Sequence, residues 1–456
     1  MQISVKVALL SGQQVVMNAA PEISIDDLRN SAEEELGQTL SHLVAPSGKV
    51  LSRASTVEEA GLQDGETLTA VICGDRIVSS CRSRAFALIR SDGSLVTWGH
   101  PSFGGDSSTV SLSDVRDIQA SHGAFAALLS DGSVETWGHA FFGGSTARVQ
   151  AQLLNVVKIE ACFCAFAAIL ANGSVVTWGY PEVGGDSSAV QDELKDVCEI
   201  TASNGAFAAL LANGSVVTWG NENLGGDSTA AKSQLQNIRE IRASGGAFAA
   251  ITTEGSVVTW GSPNHGGAGG ASAVQELTTV QSIQATNDAF AAILADGTVV
   301  TWGDQAHGGD SSAVQRELRD VQQIEATGGA FAAILADGSV VTWGDADAGA
   351  DSSAVQASLR GVRHVRASRY AFAAIRSDGS VVTWGNPEHG GDSSKVQDQL
   401  KDVLQIEASQ RAFAALLGDG SVISWGNPAF GGGGIPVDEF GEAPHGLRDT
   451  WQLPLS

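Results

Sequence analysis

Two different hydrophobic patterns follow one another along this chain of 456 residues. In the first seventy residues, apolar and polar positions alternate over short segments, which is typical of half-buried strands. These strand patterns cover residues 1–7, 13–19, 42–46, 48–51 and 66–72. A turn is expected between the first two at Ser11-Gly12. Residues 24–37 have helical spacing instead, with Ser24 as the predicted N-cap and Gly37 as the predicted stop.

The rest of the chain repeats one apolar pattern nine times, at intervals of 39 to 42 residues between successive Trp-Gly pairs. The tryptophans are Trp98, Trp137, Trp178, Trp219, Trp260, Trp302, Trp343, Trp384 and Trp425. A fixed period of this length indicates supersecondary units that bury their apolar faces on one another. We expect each tryptophan to be a packing anchor between neighbouring units.

Each repeat contains three predicted strands and a connection, as residues 157–194 show. Residues 157–161 alternate, so that Val157 would face inward with Ile159 and Ala161. Residues 165–170 are apolar on both faces, which favours a position inside the stack. The pair Asn172-Gly173 predicts a tight turn before the third strand, 175–179. After it come a variable loop, a Gly pair, and cap-type residues at 186–188 that predict a short helix.

The first segment resembles ubiquitin in the order of its elements and in its residues. The similarity lies in MQI and VK at the start, in HLVAPSGKVL, and in TVEEAGLQDGETLTAVI at the end. It implies a β-grasp ubiquitin-like domain over residues 1–73, with an apolar protein-binding patch at Leu10, Val44 and Val71. The alternative is that Leu10 is a plain loop residue and that the two valines are ordinary sheet residues. The chain continues past Ile72 without a pair of terminal glycines, so we expect a recognition domain and not a conjugated modifier.

The repeats resemble those of the regulator of chromosome condensation family. The similarity lies in ADGSVVTWG followed by a glycine six residues after the tryptophan, such as Gly390 after Trp384. It implies a mainly β protein in which residues 74–427 form a β-propeller-like array, followed by a tail at 428–456. The repeats are also similar to those of HERC-type ubiquitin ligases. The family's usual histidine before the turn is replaced by alanine, and nine copies exceed its usual seven. A closed ring, an open arc, and seven blades with extra units all remain open.

Composition and charge narrow the function classes. Fifty-one acidic residues stand against 26 basic ones, a net charge of −25, which argues against nucleic acid as a partner and favours proteins. Five cysteines that ignore the repeat period argue against a disulfide framework. No stretch has the length of a membrane span and no secretory signal precedes the first strand, so we expect an intracellular protein, cytoplasmic or nuclear. No catalytic arrangement or cofactor motif recurs, which predicts a protein that is not an enzyme and binds no cofactor or metal.

The copies differ at two places: the dipeptide before the middle strand and the four residues after Trp-Gly. Strand direction places both on one rim, because two strands and one turn separate them. A constant frame with one variable rim is typical of a binding surface. Neutral drift of loops is the alternative. The candidate protein-binding residues on this rim are Phe103, Phe142, Tyr180, His265, His307, Tyr370, His389 and Phe430. The three histidines hold one loop place in three copies, where they could also be solvated side chains.

We therefore predict a non-enzymatic adaptor. Its ubiquitin-like domain would dock on ubiquitin-receptor or ligase components, while the variable rim would bind a protein client. Two alternatives are a substrate-recognition subunit of a ubiquitin ligase and a guanine-nucleotide exchange factor for a small GTPase.

Overall fold

In the computed structural model, contacts divide the chain into a first part, residues 1–76 with 89–95, and a second part, residues 77–88 with 96–456. The structure describes residues 3–9, 14–36, 40–47, 51, 55–72, 75–91, 93–110, 112, 114–267, 274 and 277–434. The predicted turn at Ser11-Gly12, the predicted stop at Gly37 and most of the predicted strand 48–51 lie outside these residues. No helix among the described residues is long and apolar enough to cross a membrane.

The first part is a mixed four-stranded sheet with one helix. Its elements are β1 (Ile3–Leu9), β2 (Gln14–Ala19), α1 (Ile25–Leu36), β3 (Leu40–Val44) and β4 (Thr67–Ile72). The sheet order is β2-β1-β4-β3, with β1 and β4 parallel, which is the β-grasp arrangement. Ser24 caps α1 as predicted, since its Oγ accepts from the Asp27 N–H at 3.0 Å and donates to the Asp27 carboxylate at 2.7 Å.

The second part is built from nine three-stranded antiparallel sheets, which we call blades 1 to 9. Their strands are β5 (Arg76–Val78), β6 (Ala85–Ile89), β7 (Leu95–Gly99); β8 (Val115–Ala120), β9 (Ala124–Leu129), β10 (Val134–Gly138); β11 (Val156–Ala161), β12 (Ala165–Leu170), β13 (Val175–Gly179); β14 (Val197–Ala202), β15 (Ala206–Leu211), β16 (Val216–Gly220); β17 (Ile238–Ala243), β18 (Ala247–Thr252), β19 (Val257–Gly261); β20 (Val280–Ala285), β21 (Ala289–Leu294), β22 (Val299–Gly303); β23 (Val321–Ala326), β24 (Ala330–Leu335), β25 (Val340–Gly344); β26 (Val362–Ala367), β27 (Ala371–Arg376), β28 (Val381–Gly385); β29 (Val403–Ala408), β30 (Ala412–Leu417) and β31 (Val422–Gly426). The protein is therefore mainly β, as predicted.

The middle strand of each blade is the buried one, as its two-sided apolar pattern predicts. In β12, the first five residues are all buried. The first strand differs from the prediction at one residue, because a β-bulge separates Val156 from Lys158 in the pairing with β12. The extra residue reverses the alternation, so Val156 is buried at 2% exposure while Val157 is 44% exposed. The inward assignment of Val157 was therefore wrong.

Neighbouring blades are joined through a phenylalanine and a tryptophan that recur in each repeat. Within blade 3, Phe166 stacks on Trp178 with ring centroids 5.2 Å apart. The Trp178 indole N–H donates to the Gly143 carbonyl of blade 2 at 3.0 Å. A Cβ on Gly143 would lie 2.6 Å from Phe166 Cδ2, so only glycine lets the loop approach the ring this closely. The tryptophan is thus the packing anchor that the repeat pattern predicts.

The same junction joins blade 9 to blade 1, so the nine blades form a closed ring. Trp98 donates to the Gly431 carbonyl at 3.1 Å, and a Cβ on Gly431 would lie 2.5 Å from Phe86 Cδ2. The backbone N–H of Gln410 also donates to the Ser83 carbonyl at 2.8 Å. Closure relies on these contacts and needs no strand after Trp425. The open arc and the seven-blade arrangement are thereby excluded.

Two further expectations are corrected. The ninth blade runs beyond residue 427, because Pro428–Phe430 form its short 3-10 turn and Gly431 makes the closing junction, so the tail does not begin at 428. The predicted helix after residues 186–188 is a series of turns. Gln191 holds it against the blade by donating to the Val175 carbonyl at 3.0 Å, and Leu194 is buried at 1% exposure. The corresponding connections of other repeats do contain a short 3-10 helix, such as Gln150–Gln152 and Gln397–Gln399, so the predicted helix is wrong for this repeat and is present in those.

Candidate functional site

The two variable segments of each repeat lie at the same end of the blade. In blade 3 the Tyr180 N–H, after the third strand, donates to the Cys164 carbonyl, before the middle strand, at 2.9 Å. The Asn-Gly turn lies at the other end, where the Val197 N–H donates to the Gly173 carbonyl at 2.9 Å. We call the two ends of the ring the loop rim and the turn rim.

Each loop after Trp-Gly folds into one short helical turn that ends at a left-handed glycine. In blade 1, Pro101–Phe103 form this turn and Gly104 follows with φ 95°. The turn directs its third residue toward the next blade: a Cβ on Gly123 would lie 2.4 Å from Phe103 Cδ1. Six of the candidate residues occupy this third place of the turn: Phe103, Phe142, His265, His307, His389 and Phe430. All six are at least partly buried, so each also packs the junction between blades.

The loops of blades 1 to 3 bring a continuous group of rings together, which we call the aromatic band. Its members are His100, Phe103, His122, His139, Phe141, Phe142, Phe163 and Tyr180. His122 stacks on Phe163 at 4.3 Å, and Phe141 lies 4.7 Å from Tyr180. Phe141 is 48% exposed, an unusual position for a large apolar side chain. The band therefore offers ring surface to a partner on the loop rim.

Sequence reasoning selected Phe103, Phe142 and Tyr180 in this band as binding residues, and it assigned the other rings to the variable rim without grouping them into one site. His122 and Phe163 belong to the variable dipeptides, and the other rings stand in the loops. Their grouping depends on contacts between neighbouring blades, such as His122 with Phe163, which the comparison of repeats does not give.

His122 is held neutral inside the band. Burial, and then the charge of Arg84, lower its pKa to about 4. Its Nδ1 lies 2.9 Å from the Arg82 carbonyl oxygen, a contact in which the ring nitrogen must donate. This histidine is therefore a stacked, hydrogen-bonded part of the band near neutral pH.

Tyr370 and Phe430 lie elsewhere on the loop rim, each beside arginine. Phe430 has the Arg84 and Arg411 guanidinium carbons 5.5 and 5.2 Å from its ring centroid. Tyr370 has the Arg369 guanidinium carbon at 5.2 Å and contacts His389 with ring centroids 4.9 Å apart. These two aromatic residues are thus joined to a cationic part of the rim.

Two of the three loop histidines meet on one carboxylate. His265 Nε2 lies 3.3 Å from Asp288 Oδ1, and His307 Nδ1 lies 3.6 Å from Asp288 Oδ2. Burial raises the pKa of Asp288, while the two histidines oppose that shift. The third histidine, His389, does not contact Asp288 and is only 5% exposed. Its burial, and then the charge of Arg411, lower its pKa to about 4. Among the described residues, no group of three or more His, Cys, Asp and Glu side chains is arranged to hold a metal ion.

Ionisable side chains of the first strands line the inside of the ring, a feature that sequence reasoning missed. Lys158 pairs with Glu199 at 3.3 Å, and Arg366 with Glu407 at 3.6 Å. Burial raises the pKa of Glu160 to about 7, and the nearby Lys158 opposes the shift. The pKa of Glu325 is also raised to about 7, and burial is again the largest cause. The signal was present in the sequence as polar residues that alternate with the buried ones in these strands.

The structure describes two of the three residues of the expected apolar patch in the first part of the chain. Leu10 lies outside the described residues. Val44 is partly buried on β3 and pairs with Thr69 of β4, while Val71 pairs with His42. The two valines therefore hold register positions two residues apart on adjacent strands. Their role in binding stays a prediction.

Comparisons with known proteins give only distant similarities. No protein-family model and no curated protein matches the chain. Yeast RCC1 (Prp20), solved bound to Kap60, is 16% identical over 69% of this chain and 86% of its own, with a TM-score of 0.40. The CRINKLY WD40 ectodomain of the Arabidopsis thaliana receptor kinase ACR4 is 18% identical over 60% of this chain and 97% of its own, with a TM-score of 0.36.

A ubiquitin-like match is found as well. The UBL domain of Plasmodium falciparum Dsk2 is 22% identical and covers 16% of this chain and 100% of its own, with a TM-score of 0.15. None of these TM-scores reaches 0.5. The fold is therefore assigned from the strand order and the ring closure, and nothing about function follows from these neighbours.

Proposed function

We propose that the protein is a non-enzymatic adaptor whose loop rim binds a protein client, while its ubiquitin-like domain docks on ubiquitin-receptor or ligase components. The observation that carries the proposal is the aromatic band, which gathers the variable segments of neighbouring repeats on one rim. Aromatic side chains are the residues that most often dominate the energy of protein interfaces. If the ubiquitin-like domain docks on a ubiquitin ligase, the protein would act as the substrate-binding subunit of that ligase.

The asymmetry between the two rims supports this assignment. The turn rim repeats nearly the same Asx-Gly sequence in most copies, whereas the loop rim differs from copy to copy. Phe141 and Tyr180 meet at the outer edge of the band, where a partner can reach them without opening a blade junction. Truncation of such rings removes contact area from the interface and leaves the ring closure intact.

The client half of the proposal is tested by cross-linking capture from cell lysate with the full chain. Phe141→Ala and Tyr180→Ala should each reduce recovery of the client severalfold. The matched control is Leu154→Ala, which removes an apolar side chain 60% exposed beside the turn rim and should leave recovery unchanged. Equal recovery by all variants, or loss only with Leu154→Ala, would refute the assignment of the loop rim.

The docking half needs a separate test, since it concerns another part of the chain. Val44→Asp should abolish binding to an immobilised ubiquitin-receptor domain, because it places a charge in the expected apolar patch. The control is Val16→Asp on β2, where the native valine is 56% exposed. If Val44→Asp binds as the native chain does, the patch assignment is wrong even if the client half holds.

A further inference from the structure

Three arginines meet on the loop rim where the ring closes, and we call them the arginine cluster: Arg84, Arg369 and Arg411. They belong to blades 1, 8 and 9. Two backbone hydrogen bonds bring their segments together: Arg369 N–H donates to the Gln410 carbonyl at 3.1 Å, and Gln410 N–H donates to Ser83 at 2.8 Å. Ring closure thus places Arg84 beside segments that lie more than 280 residues later in the sequence.

Within the described part of the protein, the cluster forms no ion pair. Among the residues that the structure describes, none of these three arginines has a carboxylate within 4.0 Å, although the chain has 51 acidic residues. By contrast, Arg242 and Arg366, on first strands of the same ring, are paired with glutamates. The cluster therefore differs from these first-strand arginines in having no ion-pair partner among the described residues.

Aromatic faces hold the guanidinium groups instead. The Arg84 guanidinium carbon lies 4.5 Å from the Phe103 ring centroid, and Phe430 has both Arg84 and Arg411 against its ring. Such contacts fix the planar guanidinium while leaving most of its N–H donors unused. The partly buried Arg84 and Arg411 flank Phe430, and Arg369 is exposed.

The arrangement leaves polar groups unsatisfied. The Nε atoms of Arg84 and Arg411 are buried without a hydrogen-bond partner. Burial, and then the charge of Arg411, lower the pKa of Arg84, which shows that the two cations oppose each other's charge. Arginine stays protonated in proteins, so this repulsion persists until an anion arrives. A bound anion would both satisfy donors and remove the repulsion.

We infer that the arginine cluster binds carboxylate side chains of an acidic segment in the protein client. This rests on the proposed function and names the chemistry of the partner. The guanidinium fork matches a carboxylate in bidentate geometry, and the neighbouring Phe103 and Phe430 rings offer contact area to an apolar residue beside it. An acidic peptide is favoured over nucleic acid because a protein of net charge −25 repels a polyanion, whereas a short acidic segment needs only the local cluster.

The test is fluorescence anisotropy with the full chain and a labelled probe, the peptide Gly-Asp-Glu-Phe-Asp-Glu-Phe-Gly. Arg369→Gln and Arg411→Gln should each weaken binding about tenfold, in line with the loss of a charge-assisted hydrogen bond. Binding should also weaken as salt is raised. The matched control is Arg319→Gln, an exposed arginine in the connection next to the turn rim, which should bind as the native chain does. Arg369 is itself exposed, so its variant tests the site without risk to the fold.

Several outcomes would overturn the inference. The first is that Arg369→Gln binds the acidic peptide as tightly as the native chain does. The second is that the native chain binds the amide analogue Gly-Asn-Gln-Phe-Asn-Gln-Phe-Gly as tightly as the acidic peptide. The third is that it binds inorganic phosphate or a single-stranded oligonucleotide more tightly than the acidic peptide. Binding only in a chain shortened to residue 434 would also overturn it, because Asp438, Glu439 and Glu442 of the chain itself would then be the occupant.

The outcome for the proposed function is separate. If Phe141→Ala reduces capture of the client while the arginine variants do not, the loop rim binds a client and the acidic-segment inference fails. If neither set of variants changes capture, the loop-rim proposal fails as well.

Discussion

Replacing Gly431 by alanine should destabilise the protein as much as the same change at an interior blade junction. Gly431 has φ 94°, and its Cβ would lie 2.5 and 2.8 Å from two carbons of Phe86. Gly225, between blades 4 and 5, has φ 97° and would place its Cβ 2.5 and 2.6 Å from the same carbons of Phe248. The two sites are therefore equivalent if blade 9 packs on blade 1.

The expected cost has two parts. The left-handed backbone of a non-glycine residue costs about 1–2 kcal/mol. Overpacking a methyl group against a fixed ring adds about 1–3 kcal/mol. Gly420 separates them, because it has φ 82° but no atom within 4 Å of its Cβ. Gly420→Ala should therefore show the backbone cost alone, and Gly431→Ala and Gly225→Ala should show both.

The assay is equilibrium unfolding in urea followed by tryptophan fluorescence, with the midpoint compared among the three variants. Gly431→Ala should match Gly225→Ala and fall below Gly420→Ala. A Gly431→Ala midpoint equal to that of Gly420→Ala, with Gly225→Ala clearly lower, would show that the last blade does not press on the first. The closed ring would then be wrong.

Other consequences can be measured in the same way. Glu160→Gln and Glu325→Gln should stabilise the protein at pH 8 and not at pH 4. Each carboxyl has a pKa of 4.5 in the unfolded chain and about 7 in the folded protein, so its ionisation destabilises the folded state increasingly as the pH rises from 4.5 to 7. This pKa difference corresponds to at most about 3 kcal/mol, and solvent screening of the two partly exposed side chains reduces it to about 1–2 kcal/mol per residue. The measurement is the urea midpoint at both pH values, and equal gains at pH 4 and pH 8 would contradict the titration. Ser203→Ala should cost about 1–3 kcal/mol, because the buried hydroxyl accepts from the backbone N–H groups two and three residues later in the chain, at 3.3 and 3.0 Å, and donates to the Leu224 carbonyl at 2.8 Å. A thermal melt that does not shift would show these bonds to be dispensable. Phe141→Ala should change stability by less than about 0.5 kcal/mol, as expected of an exposed side chain, and a larger loss would mean that the aromatic band serves packing more than binding.

The repeat pattern allowed much of the second part to be predicted, because its elements are set by local spacing. The tryptophan anchors, the buried middle strand and the shared rim of the variable segments follow from strand alternation and from one turn per hairpin. The bulge that exposes Val157 could not be predicted in this way, since a bulge depends on the partner strand. The turns at 186–194 were not predicted either. The same anchor is present where the connection does form a 3-10 helix, since Gln150 and Gln397 donate to the equivalent strand carbonyls, so a sequence pattern shared by the repeats does not distinguish the two outcomes.

Closure was beyond the sequence for a different reason. It depends on Phe86 meeting Gly431, a contact between the first and last blades that no local pattern encodes. The arginine cluster and the shared carboxylate at Asp288 depend on the ring as well, because their members lie in different blades. Candidate residues could thus be assigned to a rim from the sequence, while their grouping into a site required the structure.

The most direct test of the loop rim as a binding surface is hydrogen–deuterium exchange of the full chain with and without its captured client. Protection should appear in the loops after Trp-Gly and in the preceding dipeptides, above all around Phe141, Tyr180 and Arg411. Protection confined to the Asx-Gly turns on the opposite rim would contradict the account, whatever the identity of the client.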